Sequence, residues 1–245
     1  MKSYKYSLIL FLGYIKRVLY IKRDIINLLR FGMQAPLTYQ LFFVETKTIS
    51  HVLKDKSKLS QADSGRVVDG SWDQNIIKLV DDQKYSTIYN VIAKNKSFTD
   101  PGELVKMYKN SKKYNDQKIL KRYDNLEKAR LNIEKTGRLS TQFELSSSNF
   151  RQKGGIVIHF GRNGDLIFAH AGYHRLALAN FKQIKIIPVA IGAVHRQSII
   201  NGKFQEFILR SNALKEDYER LVINDQLKDK ESQFINQSGA DSRPD

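Results

Sequence analysis

Between residues 154 and 194 the apolar positions change their period twice. Ile156–Phe160 and Leu166–His170 alternate as strands do, and Asn163-Gly164 between them suits a type I′ turn, in which both central residues need positive φ. A two-residue closure sets Phe160 opposite Ile167 and Ile158 opposite Ala169. Ile156, Ile158, Phe160, Ile167, Ala169 and Ala171 then share an apolar face, with Val157, His159, Phe168 and His170 on the other. After Gly172 the spacing becomes helical through Leu176, Ala177 and Ala179, which predicts a helix over 173–181. Ile187-Pro188-Val189 follows as a strand.

The other periodic stretches are helical. Ser7 to Phe31 has two faces: Phe11, Ile15, Val18, Ile25, Ile26 and Leu29 on one, and Lys16, Arg17, Arg23, Asp24, Asn27 and Arg30 on the other, with Lys22 interrupting the apolar side. Its longest apolar run, Leu8 to Ile15, is far short of the roughly 20 residues a membrane span needs, and no Ala-x-Ala cleavage site follows. Two placements stay open for this helix, with its apolar face packed on the domain or a partner, or laid on an anionic membrane surface. Gln34 to Lys58 reads equally as strand or helix. Ser60–Ser71 reads as a loop, which puts a boundary near residue 60.

From Asp73, a plausible N-cap, Ile76, Ile77, Leu79, Val80, Ile88, Val91 and Ile92 recur at helical spacing, with Trp72 as a core anchor. Asp100-Pro101-Gly102-Glu103 opens a short helix reaching Tyr108. Asp116 to Lys135 forms a long amphipathic helix, with Gly137 as its C-cap. Phe204 to Leu227 is helical, and the polar 229–245 stretch reads as disordered. The whole is an α/β or α+β chain: a basic helical extension (1–60), a domain with a small mixed sheet and flanking helices (61–200), a C-terminal helix (201–228) and a tail (229–245).

Charge adds a partner class. The 245 residues carry a formal net charge of +16, and residues 1–60 hold eleven lysines and arginines against three acidic residues, a net of +8. Such a chain is drawn to polyanions, either DNA or an anionic membrane. Cysteine is absent, which excludes disulfides, thiolate zinc sites and thiol catalysis and suits the cytoplasm, with the inner face of the membrane as a peripheral address.

The chemistry concentrates at the start of the 173–181 helix. Free N–H groups and the helix dipole favour an anion there, yet the sequence supplies His174 and Arg175, where cations are locally unfavourable. A phosphate would resolve the conflict, with Gly172 letting it approach the backbone and Arg175 gripping two oxygens. The alternative is that Arg175 pairs with an internal carboxylate and His174 is a half-buried ring. His170 is placed to act as a base or hydrogen-bond partner, and Asp73 and Asp116 are the carboxylates suited to test as general bases. His159 and His170 alone are too few for a metal. Walker and Rossmann glycine loops are missing, and Gly161-Arg162-Asn163-Gly164 tips a hairpin rather than joining two helices as in KH domains.

Strand, then Gly172-Tyr173-His174-Arg175 opening a helix with Leu176-Ala177-Leu178-Ala179, then Ile187-Pro188-Val189, resembles the ParB/sulfiredoxin superfamily over roughly residues 114–194. A weaker likeness reaches back to Val67–Asp73. The resemblance implies nucleotide binding (ATP, ADP or CTP, with Mg²⁺) by Gly172, Tyr173, His174 and Arg175. Ser140 and Gln142 would lie on a loop near the nucleotide, and phosphoryl transfer to a small molecule is a further activity of the group. Tyr173 stands at the sulfiredoxin cysteine, so sulfinic acid reduction is excluded. Ala171 replaces an aspartate of the kinase-like members, and no helix-turn-helix follows Val194. The competing expectation is a non-enzymatic module binding DNA or an anionic membrane through residues 1–60.

Overall fold

The computed structural model describes residues 2–55, 57–94 and 116–238, with 2–13, 116, 118, 119, 122 and 222–238 described through their backbone alone. The strands are β1 (Leu41–Glu45), β2 (His51–Leu53), β3 (Val67–Val68), β4 (Ile76–Lys78), β5 (Ile156–Phe160), β6 (Leu166–Phe168) and β7 (Ile186–His195). The helices are α1 (Lys2–Phe31), α2 (Gln83–Lys94), α3 (Asp116–Thr136), α4 (Gln142–Leu145), α5 (Tyr173–Phe181), α6 (Arg196–Ile200) and α7 (Lys203–Ser238). The strands form one mixed sheet in the order β1-β7-β5-β6-β2-β4, with β3 paired to the far end of β7. The α/β class read from the sequence is what the chain adopts.

β7 is the spine. All ten of its residues are buried, as the run Ile186–Val194 of almost uninterrupted apolar residues requires of a strand covered on both faces. It runs parallel to β5 (Ile156 beside Val189) on one side. On the other it takes β1 antiparallel (Leu41 beside Ala190) and β3 parallel (Val67 beside Val194). One sheet face carries the main core, where Ile156, Ile158, Ile187 and Val189 meet Ile88 of α2, Leu126 of α3, Leu176 of α5 and Phe204 of α7. The opposite face is covered in two patches. Tyr20 of α1 joins Tyr39, Val157 and Ala169, while Trp72 joins Leu53, Ile167 and Ala193.

Several sequence expectations need correction. The boundary near residue 60 is not there: Leu41–Val44 and His51–Leu53 bury their apolar side chains as sheet strands, so only α1 stands outside the sheet. The helical pattern after Trp72 splits into β4 and α2, because Ile76 and Ile77 pair with β2. Past Gly137 the chain forms the short helix α4, which the sequence reading did not foresee, capped reciprocally by Thr141 and Glu144 (3.2 and 2.5 Å). α7 runs to Ser238, into the segment read as disordered. The helix expected over 98–108 lies outside the described residues.

The hairpin exists, but with Phe160 beside Leu166 and Ile158 beside Phe168. Its loop has three residues, not two: Gly161 N–H bonds to Asp165 O (2.9 Å) and Gly164 takes φ of 94°, the pattern of a type I turn closed by a glycine bulge. A one-residue slip exchanges faces along a strand, so Phe168 enters the main core while Ile167 and His159 lie on the Trp72 side.

Candidate functional site

Past β6 the chain stays beside β5, with Ala169 N–H bonded to Val157 O (2.9 Å) and Val157 N–H to Ala171 O (3.2 Å). It then turns sharply through His170 (φ 56°) and Gly172 (φ 85°) into α5. Glycine is required at 172 for a reason different from the one expected. A β-carbon there would lie 2.6 Å from Ile156 Cα and 2.9 Å from Gly155 O, so the missing side chain admits the neighbouring strand, not a ligand.

Tyr173 and His170 are also bound into the fold. Tyr173 is buried with its ring edge-on to Phe168 (centroids 4.8 Å apart). Its hydroxyl lies 2.7 Å from His170 Nδ1 and 3.4 Å from Asp82 Oδ2. Burial pushes this phenol far above the ordinary tyrosine range, with the Asp82 charge adding to it. His170 Nε2 lies 2.9 Å from Leu53 O. A carbonyl only accepts, so Nε2 carries the proton in that bond and both ring nitrogens are engaged. His170 ties the mouth of α5 to β2 and is not a base aimed at a ligand.

The next two residues face a cavity of about 570 Å³. His174 and Arg175 of α5, Ser140 and Gln142 around the start of α4, Gly154, and Asn125, Lys128 and Asn132 of α3 ring it, over an apolar floor that includes Leu126 and Leu139. Four residues singled out in the sequence thus meet at one place, within the size range of small-molecule sites. The α3 residues escaped the sequence reading, although positions 125, 128 and 132 share one side of a helix and mark a polar stripe beside the apolar one.

Arg175 is the unusual member. One Nη donates to Ser140 O, while its Nε is buried without a hydrogen-bond partner. No carboxylate among the described residues forms an ion pair with it. Burial lowers its pKa to about 10, against the opposing influence of Tyr218 and Glu144. It is still charged at neutral pH. Its neighbour Arg138 holds the local acid, donating to Glu144 (2.8 Å) and to the Tyr218 hydroxyl (2.7 Å). Burial opposes ionisation of Glu144, but bonds from Thr141 and Arg138 outweigh it and leave its pKa lowered. Ser140 also donates its hydroxyl to Asn132 (3.1 Å), and the Gln142 N–H bonds to Gln152 Oε1 (2.8 Å).

The candidate bases are elsewhere. Asp73 lies beside Gly161, past the end of β5 opposite to Gly172. It is clasped by the Arg162 guanidinium (2.7–3.1 Å) and accepts the Arg162 N–H (2.8 Å). Burial alone would raise its pKa, but these bonds outweigh it and hold the carboxyl below the usual range. A carboxylate so engaged braces the hairpin loop and is not a base. Asp116 opens α3 in the backbone, and its side chain lies outside the described residues. No cluster of three or more metal-ligating side chains occurs among the described residues.

A second cavity, about 440 Å³, lies between β1, the hairpin loop and α7. Four of its charged side chains are already paired, Arg210 with Glu45 (3.5 Å) and Lys203 with Glu206 (3.0 Å). Comparison of the chain with family models, with curated proteins and with solved structures gives no match.

Proposed function

We propose that the cavity beneath α5 binds a nucleotide, with the phosphates at the first turn of α5 against Arg175 and His174. One observation carries this reading: a half-buried guanidinium, bonded only to a backbone carbonyl and with its Nε fully buried and unsatisfied, opens onto a cavity large enough for such a ligand. A buried cation without a bonded counter-charge is costly, and a bound anion removes that cost. The likeness of Gly172–Arg175 to the ParB/sulfiredoxin motif supports the same reading and suggests ATP, ADP or CTP. Asn125, Asn132 and Gln142 offer amide donors and acceptors for a base or ribose above the apolar floor.

The donor set is amide, hydroxyl and cation, which fits phosphate oxygens better than a metal. No carboxylate lines the cavity among the described residues, so Mg²⁺ would arrive on the nucleotide. Binding, rather than phosphoryl transfer to a small molecule, is therefore the activity this residue set favours. The cytoplasm is the compartment it implies.

The test is thermal and urea unfolding of the wild type and Arg175→Gln with ATP, ADP, CTP and GTP, each with and without Mg²⁺. A ligand at a hundred times its dissociation constant stabilises by about 2.7 kcal/mol. At least one nucleotide should give such a shift in the wild type and little in the variant. A wild type that responds to none of the four, or a variant that responds equally, would overturn the reading.

A further inference from the structure

α1 docks with its polar side. Asp24 and Asn27, only 5% and 6% exposed, face the domain. Asp24 accepts from the Thr38 N–H (2.7 Å) and hydroxyl (2.8 Å) and pairs with Arg151 (2.7 Å). Asn27 donates to Pro36 O (2.7 Å) and Gly65 O (2.5 Å). Arg23, on the same side, donates to Ser64 O (2.6 Å). The apolar face therefore points outward, which removes packing on the domain from the placements left open by the sequence and leaves a partner or a membrane surface.

At 100° per residue, the arc from Leu28 through Val18 to Leu19 spans about half the helix and holds a single charge, Lys22. Leu29 is 82% exposed, and Met33 just beyond the helix is 94% exposed. Val18, Ile21 and Ile25 are exposed between them. A continuous apolar face of this size is a docking surface, because monomeric proteins rarely leave one open to water.

We infer that this face of α1 lies on an anionic lipid bilayer, parallel to its plane, with the domain held above it. Charge selects this occupant. α1 contains seven basic residues, among them Lys16, Arg17, Lys22 and Arg30, against the single acid Asp24. Asp24 is turned inward and spent on Arg151 and Thr38. Lys22 lies within the apolar face and Arg17 and Arg30 border it, all three positive, as in interfacial helices that bind anionic headgroups. A second copy would oppose positive to positive. A DNA backbone would find no partner on an apolar face. No helix among the described residues is long and apolar enough to cross a membrane, so the contact is peripheral. It is independent of the α5 cavity.

Flotation of the full chain with vesicles of phosphatidylcholine, alone or mixed with phosphatidylglycerol, tests the assignment. The wild type should float with the anionic vesicles and much less with the neutral ones. Ile25→Glu/Leu29→Glu should abolish flotation, and Lys22→Gln/Arg30→Gln should weaken it about tenfold or more. Both double variants alter exposed positions and should keep the wild-type circular dichroism and melting temperature. In Leu29→Trp, anionic vesicles should shift the indole emission to the blue, against a steady background from the buried Trp72.

Three results would overturn the inference. The first is a wild type that ignores anionic vesicles, or an Ile25→Glu/Leu29→Glu variant that floats as well as the wild type. The second is a wild-type dimer, dissociated by Ile25→Glu/Leu29→Glu, that binds no vesicles, which would give the face to a second copy. The third is equal retention of both proteins on duplex DNA without vesicle binding.

Discussion

His159 is a base that folding keeps neutral. Fully buried beside Trp72, it accepts the Ala193 N–H at Nδ1 (2.8 Å), and burial takes its pKa down to about 3. The unfolded chain takes up this proton below about pH 6.5, while the folded chain refuses it. Stability therefore falls as pH drops through that window, by roughly 1.4 kcal/mol per pH unit from this one group. Urea titrations at pH 7.5 and 5.0 should show His159→Gln losing about 2 kcal/mol less than the wild type on acidification. Equal losses would assign the slope to other groups. Gly192 is part of the arrangement, since a β-carbon there would stand 2.5 Å from His159 Nδ1. Gly172→Ala combines a left-handed backbone with a collision at Ile156 and should cost about 3 kcal/mol in urea unfolding. At this scale His174, Arg175, Ser140 and Gln142 were legible because local pattern and motif mark them. Asp73 was not: its partner Arg162 is remote in the chain, and nothing nearby records that the carboxylate is spent.

For an element, the pattern gives faces but not their orientation. The two sides of α1 are visible in the sequence, but the pattern alone left open whether the apolar side packs on the domain or faces away from it. What fixes α1 is a set of buried hydrogen bonds, accepted by Asp24 and donated by Asn27, with backbone that comes together only in the fold. Asp24→Ala leaves Arg151 and the Thr38 N–H without their acceptor and should destabilise the docked helix by about 3 kcal/mol. Faster proteolytic cleavage around residues 31–36, ahead of cleavage elsewhere, would report its release. Unchanged cleavage would show that α1 is held by other contacts. The hairpin teaches a similar lesson. Asn163-Gly164 marked the reversal correctly, but one glycine at positive φ serves a two-residue turn and a glycine bulge alike. The choice between them falls to Arg162, anchored on Asp73. α5 carried both a clear period change and a glycine that only one conformation suits, and it forms over the residues expected.

For the molecule as a whole, the division at residue 60 failed because a sheet is assembled by pairing and not by chain order. β1 and β2 precede the loop read as a linker, but their partners are β7, β6 and β4. The mixed apolar run at 39–44 could not disclose this, since a short apolar stretch does not say whether it is strand or helix, nor which distant strand it joins. The outer edge of β1 is in turn covered by α7, whose Ser211 hydroxyl accepts the Phe43 N–H (2.8 Å), a common way to keep an edge from pairing with another chain.

Because β7 is the common neighbour of β1, β3 and β5, the sheet cannot close while the chain is still short of residue 186. On the ribosome, the first four strands emerge long before the one that joins them, and contacts of such long range form slowly. C-terminal truncations ending before β7 should therefore aggregate during expression, whereas those ending beyond Tyr218, the last residue of α7 buried among those whose side chains are described, packed at the sheet edge against Phe43, should remain dispersed. Fractionation of cell lysates would separate the two sets.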